Sequence, residues 1–118
     1  MNFEYYQRRA ARTLSPDADP LVNAALGLSG ETGEVIELVK KHRFHNKDLD
    51  LERFAEELGD VLWYLSALCE SQGLSLDKVA RDNITKLEAR YPDGFKPKRP
   101  NNYAIADRWK LNNRGVNE

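Results

Sequence analysis

Residues 27–41, GLSGETGEVIELVKK, decide how the chain is read. At about 100° per residue, Leu28, Val35, Leu38 and Val39 fall on one helical stripe, which Leu21 and Ala24 extend toward the N-terminus. Glu31 lies inside that stripe, between Leu28 and Val35. Glu34 lies about a turn away on the stripe's edge, Lys41 lies on the same edge, and Glu37 turns further toward solvent. A lone carboxylate on a buried face is costly, or it takes up a proton and neutralises. The helix therefore poses a question of function: what occupies the space that Glu31 faces.

Other helices surround this one. Phe3, Tyr6, Ala10 and Leu14 share a face and predict a first helix that Pro16 ends; SPDADP is then a loop. The second helix spans residues 21–44, and HNKDLD loops to a third over residues 51–72, stopped by Gly73. Ser75 caps a fourth that continues to about Tyr91, after which YPDG turns the chain. No segment alternates as a strand does, so the fold class is all-α. The short loop between helices two and three predicts antiparallel packing. Residues 1–95 make one helical domain. Residues 96–118 are an arm, basic at KPKRP and polar at its end, in which Ile105 and Trp109 share a helical face.

Composition narrows the function. The 118 residues suit one domain with a thin core, which self-association would help. Eighteen basic and nineteen acidic residues leave a net charge of −1, which predicts neither nucleic-acid polymer nor membrane surface as partner. A small anion needs only a local cluster of charge. Cys69 is the single cysteine, so no internal disulfide forms and a reducing, cytoplasmic setting is expected. No apolar run approaches the ~20 residues of a membrane span. The N-terminus lacks the apolar core of a signal peptide.

The third helix repeats the theme of the second. Phe54, Leu58, Val61, Leu65 and Leu68 form its stripe, with Glu57 and Asp60 on one edge, Tyr64 beyond them, and Glu56 pointing elsewhere. On the fourth helix Leu76, Val79, Ala80, Leu87 and Tyr91 form the stripe. Asn83 and Arg90 fall within it and Lys86 lies at its edge. Carboxylates at i and i+3 on two facing helices can aim oxygen ligands at one point, and converging carboxylates repel unless a cation lies between them. Hard divalent ions take oxygen ligands. The pattern E-x-x-E then E-x-x-D thus reads as a cage for Mg²⁺ or Mn²⁺, with Lys41, Lys86 and Arg90 suited to phosphate. Either spacing alone is common on solvated helix faces; the position of Glu31 in the stripe favours the metal.

Other chemistries find less support. His42 and His45 lack an E-x-x-H partner, so the di-iron pattern of ferritin-like bundles is absent, and His42 reads as a packed or capping residue. Cys69 lies on the apolar stripe as inert core. Trp63 faces away from that stripe, toward the first helix or another subunit; of the two, we expect the subunit. GLSG is a small-residue approach to the site and not a phosphate-binding glycine loop.

The paired motif, Glu31 and Glu34 followed by Glu57 and Asp60, resembles that of the MazG-like all-α nucleoside triphosphate pyrophosphohydrolases. The words LGLSGETGEVIELVKK, EELGDVLWYL and NITKLEARYPDGF and the opening YQRRAART…NAALGL are similar to small single-domain members of phages and bacteria, over residues 3–95. The resemblance implies a four-helix bundle that assembles as a homodimer or homotetramer. It implies Mg²⁺-dependent cleavage of a nucleoside triphosphate to a monophosphate and pyrophosphate by metal-activated water. Carried over, Glu31, Glu34, Glu57 and Asp60 are the metal ligands, with Glu34 or Glu57 as proton acceptor. Lys41, Asn83, Lys86 and Arg90 contact phosphate or sugar. The family's base pocket uses the first helix and the start of the second, which makes Gln7 and Asn23 candidate base contacts. Tyr64 either stacks on a base or packs. The competing readings are the same fold acting on another phosphate ester (deoxyuridine nucleotides, phosphoribosyl-ATP or ppGpp), and a non-catalytic helical dimer that binds a nucleotide or a protein.

Overall fold

In the computed structural model, which describes residues 1–16 and 18–97, the chain forms four helices. They are α1 (Phe3–Ala11), α2 (Pro20–Phe44), α3 (Leu51–Ser71) and α4 (Leu76–Arg90), and the described residues contain no β-strand. The arm beyond Pro97, with Ile105 and Trp109, lies outside the described residues.

Each helix starts where a short polar side chain takes up a free backbone N–H. Asn2 accepts from Tyr5, Asp19 from Val22, Asp50 from Arg53 and Ser75 from Lys78, at 2.8 to 3.1 Å. Pro20 at the first turn of α2 lacks the N–H that would otherwise need a partner. α1 ends earlier than its apolar spacing predicts. After Ala11 the backbone tightens into i→i−3 bonds, Thr13 to Ala10 and Leu14 to Ala11, and carries Leu14 off the helix. α3 ends at Gly73, whose φ of +66° is open to glycine, and Leu74 N–H returns to the Cys69 carbonyl. At the end of α2 the His42 Nδ1 meets the Lys47 carbonyl at 2.9 Å, which holds the following loop to the helix end rather than capping a helix carbonyl.

α3 is the central helix and packs against both α1 and α2. Its buried residues are Ser66, Ala67 and Cys69 rather than the larger Leu58 and Leu65, which are exposed. Small side chains allow the helices to approach closely, so steric volume rather than hydropathy sets the packed face. Burial, and the charge of Glu70, push the Cys69 thiol up, in keeping with inert core. Gln7, 8% exposed, ties the helix ends together. Its Nε2 donates to Glu70 Oε1 (3.0 Å) and the Leu74 carbonyl (2.9 Å), and its Oε1 accepts from Leu76 N–H (2.7 Å). Trp63 takes the first-helix alternative: its indole N–H donates to Thr13 Oγ1 at 2.8 Å, just past α1.

Contacts divide the chain into Met1–Asp82 and Asn83–Glu118, with the division inside α4. In the second unit the helix ends at Arg90, Gly94 N–H closes the YPDG turn onto the Tyr91 carbonyl, and the Tyr91 and Phe95 rings lie 5.9 Å apart.

Candidate functional site

Two rows of residues meet along the α2–α3 seam. On α2, Asn23, Gly27 and Glu31 follow one another at four-residue spacing and so share a face. On α3, Asp60 and Tyr64 do the same. The rows touch at Gly27, where an added methyl group would land inside the Tyr64 ring. Glycine is therefore needed there for close approach, and that approach brings Glu31 opposite Glu57 and Asp60.

These three carboxylates each offer an oxygen within 4.8 Å of the others. Glu31 and Glu57 are half-buried, and Asp60 is exposed. Burial, contact with Glu57 and the charges of Asp60, Glu57 and Glu34 together push the Glu31 carboxyl above its ordinary value. Arg53 is the basic neighbour of the cluster, 4.0 Å from Glu57. Glu34 stands outside the close group, exposed, and reaches it through its charge. Tyr6 of α1 borders the cluster: burial and the charge of Asp60 raise its phenol. Sequence reasoning placed Tyr6 only on an apolar face, because a neutral phenol in a helical pattern carries no signal of the charge beside it.

Further along the same seam lies an open cavity of about 450 Å³, lined by Leu14, Pro16, Asn23, Trp63, Tyr64 and Glu70 among others. Tyr64 is one helical turn from Asp60, and Asn23 is about 12 Å of helix rise from Glu31. The Trp63 and Tyr64 rings meet edge to face at 4.9 Å, and the bond to Thr13 fixes the indole. An acidic pole and an aromatic pocket thus stand a few turns apart, an arrangement suited to a ligand with a flat apolar end and a charged end.

The other expected residues fall elsewhere. Asn23 lines the cavity. Gln7 stands near the C-terminal end of α3, ten residues of helix beyond Asp60 at its partner Glu70, and both of its amide hydrogens are bonded within the protein. That bonding does not suit direct contact with a base. Lys41 lies about 15 Å of rise past Glu31, exposed and paired with Glu37 at 3.8 Å. Asn83, Lys86 and Arg90 are exposed on the part of α4 that belongs to the second unit. Leu14 and Pro16, which the sequence marks only as the end of the first helix, line the cavity together with Glu70, since a loop and a helix end far apart in the chain meet there only through folding.

Comparison with known proteins gives the chain a family. The family model described as the MazG nucleotide pyrophosphohydrolase domain matches residues 22–95. The "Gene 37 protein" of Mycobacterium phage L5 is 32% identical over 106 residues, which cover 80% of this chain and 92% of the phage protein. No solved structure matches. The matched segment holds the whole of the carboxylate cluster and most of the cavity wall, and the chain belongs to the MazG nucleotide pyrophosphohydrolase domain family.

Proposed function

We propose that the protein is a Mg²⁺-dependent nucleoside triphosphate pyrophosphohydrolase, which cleaves ribo- or deoxynucleoside triphosphates to monophosphate and pyrophosphate by attack of water. The observation that carries this reading is the convergence of Glu31, Glu57 and Asp60 beside a cavity walled by Trp63 and Tyr64. The donor set fits a hard divalent ion, being all oxygen. Ligands at about 2.1 Å from one ion stand up to about 4 Å apart. Oxygens already within 4.8 Å of one another need only small side-chain adjustments to reach that. The negative field that raises the Glu31 carboxyl is also one a cation would relieve.

Bound there, Mg²⁺ would offset phosphate charge and activate water. Glu31, Glu57 and Asp60 hold it, with Glu34 as an adjoining ligand. Glu57 or Glu34 accepts the proton of the attacking water. Either Trp63 or Tyr64, whose rings stand perpendicular, offers a ring face to the base, and Asn23 an amide to its edge. Lys41, Asn83, Lys86 and Arg90 are the proposed phosphate and sugar contacts. The order of contacts along the seam, residue 31 beside 57 and 60, then 27 beside 64, supports antiparallel α2 and α3 within a bundle that assembles as a homodimer or homotetramer.

The test is incubation of the purified protein with Mg²⁺ and each common ribo- and deoxynucleoside triphosphate, with chromatographic identification of products. Monophosphate with pyrophosphate, lost on adding a chelator, is the expected result. Diphosphate with inorganic phosphate, or no turnover of any triphosphate, would overturn it and turn attention to ppGpp, phosphoribosyl-ATP or a binding role. Asp60→Asn should lower the rate at least about a hundredfold, as expected when charge stabilisation in the site is removed, with the helical spectrum retained.

A further inference from the structure

The cavity beside the carboxylates is lined by one acidic side chain, Glu70, at the far end of α3 from Glu57. Among the described residues no lysine or arginine pairs with it, and its bonded neighbour is Gln7, which donates to Oε1 at 3.0 Å. Gln7 is itself locked. Its second amide hydrogen goes to the Leu74 carbonyl and its oxygen takes the Leu76 N–H, so the amide cannot turn without losing three bonds. A buried, fully bonded amide thereby holds a carboxylate at the edge of a pocket walled by aromatic rings. Oε2 and the remaining lone pair of Oε1 are left to accept from a ligand.

On the reading of this cavity as the nucleobase pocket, we propose that Glu70 determines base specificity and selects guanine, with Gln7 as the residue that positions it. A carboxylate is an acceptor only, so it rewards bases that present donors. Guanine presents two side by side, N1–H and the exocyclic N2 amino group, and one carboxylate can accept both. Adenine and cytosine present one amino group next to a ring nitrogen whose lone pair faces the carboxylate. Uracil and thymine present one N–H between two carbonyl oxygens that repel it. Asn23, on the same cavity wall, can donate from Nδ2 to guanine O6 or N7. Because the two rings stand perpendicular, one of them, Trp63 or Tyr64, stacks on the base; that contact accepts any base and leaves the choice to the carboxylate.

The experiment measures kcat/KM on dGTP, dATP, dCTP and dTTP with Mg²⁺, for the full chain and for Glu70→Gln. In parallel it titrates dGMP and dTMP by quenching of tryptophan fluorescence, which requires no turnover. Glutamine can still accept from Gln7, but it offers a donor where the carboxylate had an acceptor. The wild type should favour dGTP over dTTP by about tenfold or more, the discrimination of one good bidentate contact, and bind dGMP correspondingly tighter than dTMP. In Glu70→Gln both ratios should fall toward one. Gln7→Glu, which breaks the brace but keeps its size, should shrink the same ratios. Turnover of every triphosphate with a ratio unchanged by Glu70→Gln overturns the assignment and leaves the hydrolase reading standing. Guanine-selective binding that Glu70→Gln abolishes, without hydrolysis of any triphosphate, overturns the hydrolase reading and supports Glu70. Neither binding nor turnover overturns both.

Discussion

The Glu31 carboxyl is raised above its ordinary value, because it is half-buried, touches Glu57 and feels the charges of Asp60, Glu57 and Glu34. A carboxyl whose folded-state value is raised binds more protons folded than unfolded. Its contribution is fully present below the unfolded value, near 4.5, and is lost as pH rises through the raised folded value. The metal-free protein should therefore melt at lower temperature as pH is raised through that window. Glu31→Gln should remove this part of the slope and melt higher near neutral pH. Mg²⁺ should raise the melting temperature of the wild type and act much less on the variant, as follows when a ligand binds only the folded state. Thermal melts across pH, with chelator and with Mg²⁺, check all three; a wild type indifferent to Mg²⁺ would remove the metal from this site. Ser66 presents a different residue-scale problem. It is 1% exposed and its hydroxyl has no hydrogen-bond partner among the described residues. An unpartnered buried hydroxyl costs about 1–3 kcal/mol, so Ser66→Ala should be neutral or stabilise by about 1 kcal/mol in a denaturant titration. The position of Glu31 could be read from the sequence because a charge in an apolar stripe breaks a pattern. Ser66 could not, because a serine among small residues breaks none.

Helices are the scale at which sequence reading works best, and the reason is periodicity. The apolar spacing of residues 21–44 and 51–72 reflects a repeat that the backbone itself imposes, and α2 and α3 follow it closely. Where a helix stops depends on side-chain bonds instead. α1 ends at Ala11 through tightened backbone bonds that no stripe encodes. Which face is packed depends on volume: a hydropathy stripe on α3 selects Leu58 and Leu65, whereas the helix buries Ser66, Ala67 and Cys69. Gly27 makes the volume argument testable. In an exposed helix interior, glycine to alanine stabilises by about 0.5–1 kcal/mol, and Gly33, with open space around it, should follow that rule. At Gly27 the new methyl group meets the Tyr64 ring, so Gly27→Ala should destabilise by about 1–3 kcal/mol, the usual range for overpacking. It should also disturb the cavity that Tyr64 lines. Opposite signs for two alanine substitutions six residues apart on one helix would be read directly from paired melts. Equal signs would mean that α2 does not approach α3 at that point.

At the scale of the whole molecule, apolar surface is in excess of apolar core. The buried apolar residues among those described are Ala24, Ala67, Cys69 and Leu76, and three of these are small. Leu26 and Ile36 on α2 are 67% and 60% exposed, and Leu58 and Leu65 on α3 are also exposed. Scattered exposed leucines need no explanation, but a domain whose large aliphatics lie mainly outside its core has its hydrophobic driving force unused. A thin core was legible from chain length. Which faces remain open was not, because periodicity assigns a residue to a face without saying whether this chain or a second copy covers it. A second copy would bury these side chains at roughly 25 cal/mol per Å² of apolar area, the same term that drives folding. Sedimentation at micromolar concentration should therefore give a dimer or tetramer, and the melting temperature should rise with protein concentration, because assembly stabilises the folded state by mass action. Ile36→Glu places a charge on the exposed face of α2 away from the carboxylate row. It should shift the protein toward monomer and remove the concentration dependence, with the helical spectrum retained in the residual folded fraction. A monomer in sedimentation, with one melting temperature across a hundredfold range of concentration, would mean instead that the exposed leucines and isoleucine stay in water and that α1–α3 stand on their small-residue packing alone.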